Sequence, residues 1–383
     1  MQGPRAIKPR EIDSLMELLN LVFCSDPARA RMQQLTPTHF VPENFPNLVA
    51  MFDGRLPVAH AGVTLRDLVL HGTRVRTGLI GAVATHPEWR GKGLASRIMD
   101  HLVRRDTRNG VDLYLISGGR GLYHRLGAED AGVLSRYRLS LSVLSRLFPA
   151  AQRATVKSAQ PSDIKGMAGI NAAEPCHVVR DTSEYQLIMK HGWCSGQRAG
   201  FYKVLVSGGM AAYLVCTVWK EKKRSCLRLM EYAGSRPAIL SALPALARKF
   251  GASSVSLDVP PTDKTMADLM ELFKVTPETS VGFDGTVAIL NVPRLMERFR
   301  PWIEQRIGKA QADKLKFPGH GRSLDVVYGK ERFVCRDRNL VVQIIFGNVK
   351  SRGKRAYPAK GELREIFKRI FPLPLIDSGI SYV

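Results

Sequence analysis

The sequence predicts an α/β protein built on mixed α+β sheets and divided into more than one domain. Apolar runs of strand length alternate with longer segments whose apolar residues recur at helical spacing, which is the pattern of α/β folds. The chain has 383 residues, which is more than one ordinary domain holds. Its composition, with 45% hydrophobic and 24% charged residues, is typical of a globular protein. We therefore expect several packed α/β units.

The first predicted domain covers residues 1–148. Residues 7–23 predict a short strand followed by an amphipathic helix, because their leucines recur at helical spacing. Apolar runs on both sides of the Asp-Gly pair at 53–54 predict a β-hairpin, since Asp-Gly favours its tight turn. Residues 75–85 and 111–117 are largely apolar, which predicts central strands that are buried on both faces. A helix is expected between these two strands.

Two further domains are predicted, the second over residues 149–292 and the third over residues 293–383. The second repeats the alternation of strands and helices, with strands expected at 209–218, 228–234 and 253–259 and helices at 236–251 and 263–273. The third has helices expected at 293–308 and 361–371 and a strand at 339–347. Residues 372–383 form an apolar tail that two prolines stiffen, unlike a frayed polar end.

Composition and charge exclude several classes of protein. No apolar run reaches the roughly 18 residues of a membrane span, and the N-terminus lacks the apolar core of a signal peptide. We therefore expect a cytoplasmic protein. The six cysteines include no C-x-x-C pair, so neither a metal site nor a disulfide scaffold is expected. The net charge of +23 attracts anions, but it is spread along the chain and does not indicate nucleic-acid binding.

A basic, glycine-rich turn lies between the strand at 75–85 and the helix that follows. Gly91 and Gly93 have no side chains, so their backbone N–H groups can approach a ligand closely. The start of a helix adds free N–H groups and the positive end of its dipole, and Arg90 and Lys92 add charge. This arrangement would bind a diphosphate. The alternative is a plain surface turn, and the pattern is neither a dinucleotide-binding turn nor a P-loop.

Residues 83–99, VATHPEWRGKGLASRIM, resemble the coenzyme A motif of the GNAT acyltransferases, whose signature is [QR]-x-x-G-x-[GA]. Arg90, Gly93 and Ala95 occupy its fixed positions. The resemblance implies an acetyl-CoA or acyl-CoA donor, with Arg90 among the residues that bind it and its diphosphate on the backbone amides of Gly91, Lys92, Gly93, Leu94, Ala95 and Ser96. It further implies that the pantetheine arm pairs like an extra strand with Val83, Ala84 and Thr85, and that Ser117 and Gly118 line the same cleft.

A second resemblance covers more of the chain. Residues 116–132, ISGGRGLYHRLGAEDAG, resemble the tyrosine segment Y-x-R-[FL]-G of the enhanced intracellular survival (Eis) group of GNAT enzymes. That group has a GNAT domain, a degenerate GNAT-like domain and a C-terminal domain that resembles sterol carrier proteins. The resemblance therefore implies tandem GNAT-like domains at 1–148 and 149–292, and a sterol-carrier-like domain at 293–383.

The same resemblance implies catalytic roles. Tyr123 would protonate the departing thiolate, and a backbone N–H near Val83 and Ala84 would stabilise the oxyanion. The base stays open, because the strand TGLIGAVAT at 77–85 contains no acidic residue. The candidates are His86, the α-carboxylate of Val383, which Eis enzymes are thought to use, and water. A packing role is the alternative for Tyr123, and a docked tail is the alternative for Val383.

The acceptor and the partners are less constrained. Phe23 and Asp26, after the first predicted helix, are candidates for binding an amine acceptor, with core packing and a solvated loop as the alternatives. Eis relatives form rings, so a homo-oligomer is a possible partner state. Two other functions remain open, a non-catalytic acyl-CoA-binding protein and a basic protein of nucleic-acid or membrane surfaces. The first is favoured by the missing strand acid, and the second only by charge.

Overall fold

The computed structural model describes residues 1–24, 31–150, 154–221, 224–348, 359–376 and 379–381. They fall into two compact units. The first unit holds the described residues of 1–132 and 282–377, and the second holds those of 133–281 and 378–382. Each unit contains a large mixed sheet, so the predicted mixed α/β class is confirmed.

The strands and helices are numbered in chain order. The strands are β1 Gln2–Ala6, β2 Leu48–Asp53, β3 Leu56–Leu70, β4 Thr73–Thr85, β5 Leu113–Ile116, β6 Leu134–Ser140, β7 Thr155–Ser158, β8 Cys176–Val178, β9 Trp193–Cys194, β10 Gln197–Val206, β11 Gly209–Glu221, β12 Arg224–Gly234, β13 Ser254–Val259, β14 Thr279–Val281, β15 Thr286–Ile289, β16 Leu315–Lys316, β17 Leu324–Tyr328 and β18 Glu331–Cys335. The helices are α1 Ile12–Phe23, α2 Met32–Leu35, α3 Leu94–Arg108, α4 Gly121–Leu126, α5 Leu141–Leu147, α6 Ile164–Ala172, α7 Thr182–His191, α8 Arg236–Lys249, α9 Lys264–Leu272, α10 Val292–Arg298, α11 Arg300–Ile307, α12 Lys309–Lys314, α13 Arg338–Phe346 and α14 Gly361–Ile370. None of the helices in these ranges is long and apolar enough to cross a membrane.

In the first unit the strand order is β1-β2-β3-β4-β5-β15. Its neighbouring strands run antiparallel, except for β4 and β5, which are parallel and joined by α3. Alternation along β2 divides the core. Leu48 and Ala50 pack with α1 on one face, whereas Val49 and Met51 pack with α3 on the other. The central position predicted for residues 75–85 and 111–117 is confirmed, since β4 and β5 lie inside this sheet.

In the second unit the strand order is β14-β6-β13-β12-β11-β10-β7. Its parallel pair is β12 and β13, which α8 joins, so the arrangement of β4, α3 and β5 recurs here. The helix α8 begins differently from α3. Ser235 caps it through its hydroxyl, which accepts the N–H of Ala238 at 3.4 Å. Glu174 accepts the N–H of Gly234 at 2.7 Å and pairs with Arg236 at 2.6 Å. Side chains of the protein therefore already form hydrogen bonds with the backbone N–H groups at the start of α8.

A buried polar network in the second unit holds the last described residues of the chain. The Arg180 guanidinium donates to both carboxylate oxygens of Glu231, at 2.9 and 2.7 Å, and to the hydroxyl of Ser381 at 2.6 Å. The Ile380 N–H donates to Glu231 at 3.1 Å, and the Ser381 hydroxyl donates to Glu184 at 3.0 Å. Ile380 is 4% exposed and belongs to the hydrophobic core of this unit. The tail at 379–381 is thus a packed part of the second unit.

The predicted strand at 339–347 is wrong, because α13 covers these residues. The Asp337 carboxylate accepts the N–H groups of Asn339 and Leu340 and so caps the helix at its start, and Gly347 ends it with φ of +73°. A short run of buried apolar residues fits a buried helix as well as a central strand. The predicted helix at 293–308 is divided into α10 and α11, with Phe299 between them.

The boundaries of the two units also differ from the predicted 148 and 292. Residues 134–140 form β6, which pairs with β13 in the second sheet, and residues 286–289 form β15, which pairs with β5 in the first. The described part of 293–383 up to residue 376 lies in the first unit and contains the small antiparallel sheet β16-β17-β18. Its likeness to sterol carrier proteins stays a prediction.

Candidate functional site

The strands β4 and β5 separate at one end of the first sheet. Their pairing ends where Ile80 lies opposite Ile116, and the Ser117 N–H and hydroxyl both donate to the Ile80 carbonyl, at 3.2 and 3.3 Å. Beyond this point β4 continues to Thr85 while β3 holds it along one edge. Within the described registers, the other edge of residues 81–85 has no partner in β5. That edge offers backbone N–H and C=O groups to an extended ligand.

A β-bulge interrupts β4 in this open stretch. His60 lies opposite Ala84 and Gly62 lies opposite Gly81, so two residues of β4 face one residue of β3. Ala82, inside the bulge, has φ of +52°, which is uncommon for a residue with a side chain. The bulge therefore redirects the backbone of Val83 and the residues after it.

The turn after β4 depends on its two glycines. Gly91 and Gly93 have φ of +77° and +71°, and a Cβ on either would meet no atom within 4 Å. Glycine is therefore required here by backbone conformation and not by crowding. Arg90, before the first glycine, and Lys92, between the two, are exposed. The Arg90 guanidinium reaches the Thr85 carbonyl at 3.4 Å, and the Lys92 ammonium lies 4.2 Å from the centre of the Trp89 ring.

The helix α3 begins at this turn without a side-chain cap. Gly93 occupies the capping position, and the first turn contains no acidic residue. The N–H groups of Leu94, Ala95 and Ser96 point out of the helix end, as they do in any α-helix. Uncapped N–H groups, the positive end of a 15-residue helix and two flanking cations together attract an anion. The geometry therefore agrees with an anion-binding turn.

Tyr123 lies in α4, which Gly127 ends with φ of +83°. Its side chain is 2% exposed and packs in the cluster that contains Val83, Leu94 and Ile116. Burial raises the pKa of the phenol above its ordinary value of 10.0, and the charge of Arg120 opposes this only in part. Tyr123 therefore carries a protonated hydroxyl and shares its hydrophobic cluster with Val83 of β4.

Sequence reasoning missed Arg120. Its guanidinium lies 3.5 Å from the Val83 carbonyl, and its charge acts on Tyr123. The signal that could have found it is its position in SGGRG, between a buried strand and the tyrosine helix.

Two buried histidines were also missed. His60 and His39 are both fully buried. The signal available for His60 was a single histidine inside the apolar run PVAHAGV. The Nδ1 atom of His60 lies 2.8 Å from the Ala82 carbonyl, and that of His39 lies 2.7 Å from the Thr64 hydroxyl. The His39 ring fills the space over Gly62, where a Cβ would come 2.1 Å from Nε2. Burial lowers the pKa of His39 to about 3 and that of His60 to about 4.

These two histidines predict loss of stability in mild acid. Below about pH 6.5 the unfolded chain binds protons at both positions, whereas the folded chain does not bind them until about pH 4 and about pH 3. The free energy of unfolding should therefore fall by about 1.4 kcal/mol per pH unit for each histidine. Urea unfolding between pH 7 and 5 measures this slope. The double variant His39→Leu/His60→Leu should have a shallower slope, and equal slopes in the two chains would contradict the prediction.

The remaining predicted residues are only partly placed. Phe23 is half-buried at the end of α1 and packs on the cluster that contains Ala82 and Ala84. The N–H of His86 donates to the Val58 carbonyl at 2.9 Å, and its Nδ1 is buried without a hydrogen-bond partner among the described residues. Gly118 follows β5 with φ of +97°. Asp26 and Val383 lie outside the described residues.

Comparison with known proteins found a family model that matches the first part of the chain. Residues 4–131 match the family model of the acetyltransferase (GNAT) domain. A curated relative, the aminoglycoside 2'-N-acetyltransferase of Mycolicibacterium fortuitum, is 39% identical over 69 residues, which are 17% of this chain and 35% of the relative. The chain thus spans about a third of the length of that relative.

Two solved structures resemble almost the whole chain. A GCN5-related N-acetyltransferase from Anabaena variabilis has a TM-score of 0.66 at 13% identity, over 97% of both chains. Eis1 from Mycobacterium abscessus has a TM-score of 0.63 at 13% identity, also over 97% of both chains. At these identities the likeness concerns the fold alone. The chain has the fold of these acetyltransferases, and its residues 4–131 match the model of the GNAT acetyltransferase domain.

Proposed function

We propose that this protein transfers an acetyl or short acyl group from acyl-CoA to a primary amine. The observation that carries the proposal is the uncapped start of α3, which follows a positive-φ glycine turn directly beside the open edge of β4. One end of this site suits a diphosphate, and the other suits an extended amide chain. Acetyl-CoA contains these two groups in that order.

The predicted contacts follow from this arrangement. The diphosphate would lie on the backbone N–H groups of residues 91–96, with Arg90 and Lys92 nearby. The pantetheine arm would run along Val83, Ala84 and Thr85, and residues 117–118 would lie on the opposite side of the opening. The thioester would then come beside the bulge in β4, near the hydroxyl of Tyr123.

The transfer would proceed by direct attack. The nitrogen of a neutral amine attacks the thioester carbonyl carbon, and a tetrahedral intermediate forms with its oxyanion on a backbone N–H near Val83 and Ala84. The carbon–sulfur bond then breaks, and the leaving thiolate takes its proton from the Tyr123 hydroxyl. A base accepts the extra proton of the amine, and this proton, passed directly or through solvent, restores the Tyr123 hydroxyl. The products are an N-acetylated amine and free coenzyme A.

The identity of that base stays a proposal with three candidates, namely the α-carboxylate of Val383, His86 and water. The described part of the tail, residues 379–381, packs in the second unit, as the docked-tail alternative expects. A carboxylate with an ordinary pKa near 3.5 is a weak base, so orienting the amine is a second way in which it could act.

The acceptor we favour is an amine on a neutral or acidic small molecule. The net charge of +23 disfavours a polycation, although the curated relative is named for aminoglycosides. Phe23 and Asp26 remain the proposed acceptor contacts. An amine on a protein or on a carrier is the alternative, because a basic protein attracts acidic macromolecules.

Calorimetry and thiol release test the proposal together. Acetyl-CoA should bind, and free thiol should appear when a panel of primary amines is added. Gly93→Val should abolish binding, because a β-branched residue is strained at φ of +71°. Gly72→Val is the control, since it places the same change at φ of +80° in the turn between β3 and β4. Binding without thiol release would favour a non-catalytic acyl-CoA-binding protein, and absence of binding would overturn the proposal.

A further inference from the structure

The bulge in β4 lies where the proposed chemistry needs a fixed backbone. It sits past the last pairing of β4 with β5, so β3 alone holds this stretch in the sheet. Val83, the second residue of the bulge, and Ala84, directly after it, carry the N–H groups proposed to meet the thioester carbonyl. Their direction depends on the conformation of Ala82.

That conformation needs support. Ala82 has φ of +52°, where a residue with a Cβ is strained, and such residues persist when the surroundings over-determine them. A glycine at this position would adopt a positive φ without strain, but the residue present is an alanine. A contact that holds its peptide group in place is therefore required.

His60 makes such a contact. Its Nδ1 lies 2.8 Å from the Ala82 carbonyl oxygen, and a carbonyl only accepts, so the neutral ring carries its proton on Nδ1 and donates it there. The opposite nitrogen, Nε2, is buried and has no hydrogen-bond partner among the described residues. The bond to Ala82 is therefore the one that fixes the ring.

The composition of the site makes this choice specific. His60 is 0% exposed and lies between Ala50 of β2 and Ala84 of β4 in the sheet, where burying a polar ring costs free energy unless it is hydrogen-bonded. An apolar side chain would fill the same space without leaving Nε2 unpaired. Packing alone therefore does not explain an imidazole here, whereas its hydrogen bond to the Ala82 carbonyl does.

We infer that His60 is a positioning residue for the acyl-transfer step, which it serves by holding the β4 bulge through the Ala82 carbonyl. This inference rests on the proposed function. His60 does not touch the acyl group. It fixes the peptide that precedes Val83, and so sets the direction of the N–H groups that stabilise the oxyanion.

The test compares two replacements of His60. Asn places an amide N–H close to where Nδ1–H of histidine lies, so His60→Asn should keep the bond to Ala82. His60→Leu fills the space but donates nothing. We expect His60→Leu to lower kcat about a hundredfold, because small misplacements of catalytic groups have effects of that size. The Kd for acetyl-CoA should change less than kcat, because the diphosphate contacts at the turn are kept while the backbone of Val83 and Ala84 is not. His60→Asn should restore kcat to within about tenfold of the parent chain.

A burial-matched control is His39→Leu. His39 is also fully buried, also lacks a partner at Nε2 among the described residues, and binds Thr64 instead of the bulge. It should alter the unfolding midpoint but not kcat. A folded His60→Leu chain with parental kcat would overturn the inference, as would equal losses of kcat in the Leu and Asn variants.

A readout without turnover separates this inference from the proposed function. In chains labelled with ¹⁵N-alanine and ¹⁵N-valine, the amide signals of Ala82, Val83 and Ala84 should move in His60→Leu and stay close to their parental positions in His60→Asn. Unmoved signals in His60→Leu would refute the positioning role. If the parent chain transfers no acyl group while these signals respond as expected, the proposed function fails and the structural role of His60 stands.

Discussion

Replacing Tyr123 by Phe is expected to lower kcat about a hundredfold to ten-thousandfold, which is the usual contribution of a positioned general acid. The change removes one oxygen atom and leaves the ring, which is 2% exposed and belongs to the cluster that contains Val83 and Leu94. Packing should therefore be preserved, and so should the Kd for acetyl-CoA. Steady-state kinetics of thiol release, with calorimetric binding of acetyl-CoA, measure the two quantities separately.

The control for this prediction is Tyr202→Phe in the second unit. Tyr202 is 5% exposed, and burial raises the pKa of its phenol as it raises that of Tyr123. Losing this hydroxyl should not change kcat. If Tyr123→Phe keeps the parental kcat, the thiolate is protonated by another group and Tyr123 has a packing role. If both variants lose the same activity, the effect is one of stability.

Replacing Arg180 by Leu is expected to lower the free energy of unfolding by about 3–5 kcal/mol, because it leaves the Glu231 carboxylate buried without its cationic partner. The Arg180 side chain is 1% exposed and that of Glu231 is 12% exposed. The same change removes the bond to Ser381, so the tail at 379–381 should also loosen. Urea unfolding measures the first effect, and hydrogen exchange at Ile380 measures the second.

The double variant Arg180→Leu/Glu231→Leu discriminates between explanations. Replacing both charges should recover much of the lost stability, since a buried ion pair and an apolar pair are often of similar stability. It should not restore protection at Ile380, because the carboxylate that accepts its N–H is also gone. A single variant as stable as the parent chain would show that the network contributes little.

Local sequence patterns predicted much of the first sheet and of the turn. The strands β4 and β5 follow from long apolar runs, and the turn follows from residues whose effect is confined to their own backbone, Gly91 and Gly93. Residues 339–347 were mispredicted because a buried helix and a central strand are both apolar on every side. Only the contacts of Asp337 and the conformation of Gly347 decide between them.

Features that depend on distant partners were not predictable from the sequence. The boundaries of the units moved because β6 and β15 each pair with a strand far away in the chain. The contact between His60 and the Ala82 carbonyl follows from the register of β3 against β4, which the sequence does not show. The hydrophobic pattern of a strand does not show which other strand it pairs with or in which register, because several apolar strands could serve as its neighbour.

The start of α8 has a consequence for how this chain uses a repeated fold. Glu174 already supplies negative charge to the Gly234 amide and to Arg236, and Ser235 supplies the cap that α3 lacks. The start of α8 therefore has less positive charge and fewer free N–H groups to offer an anion than the start of α3. We therefore expect the proposed acyl-CoA site at the start of α3 to have no counterpart at the start of α8, and calorimetry should give one bound coenzyme per chain.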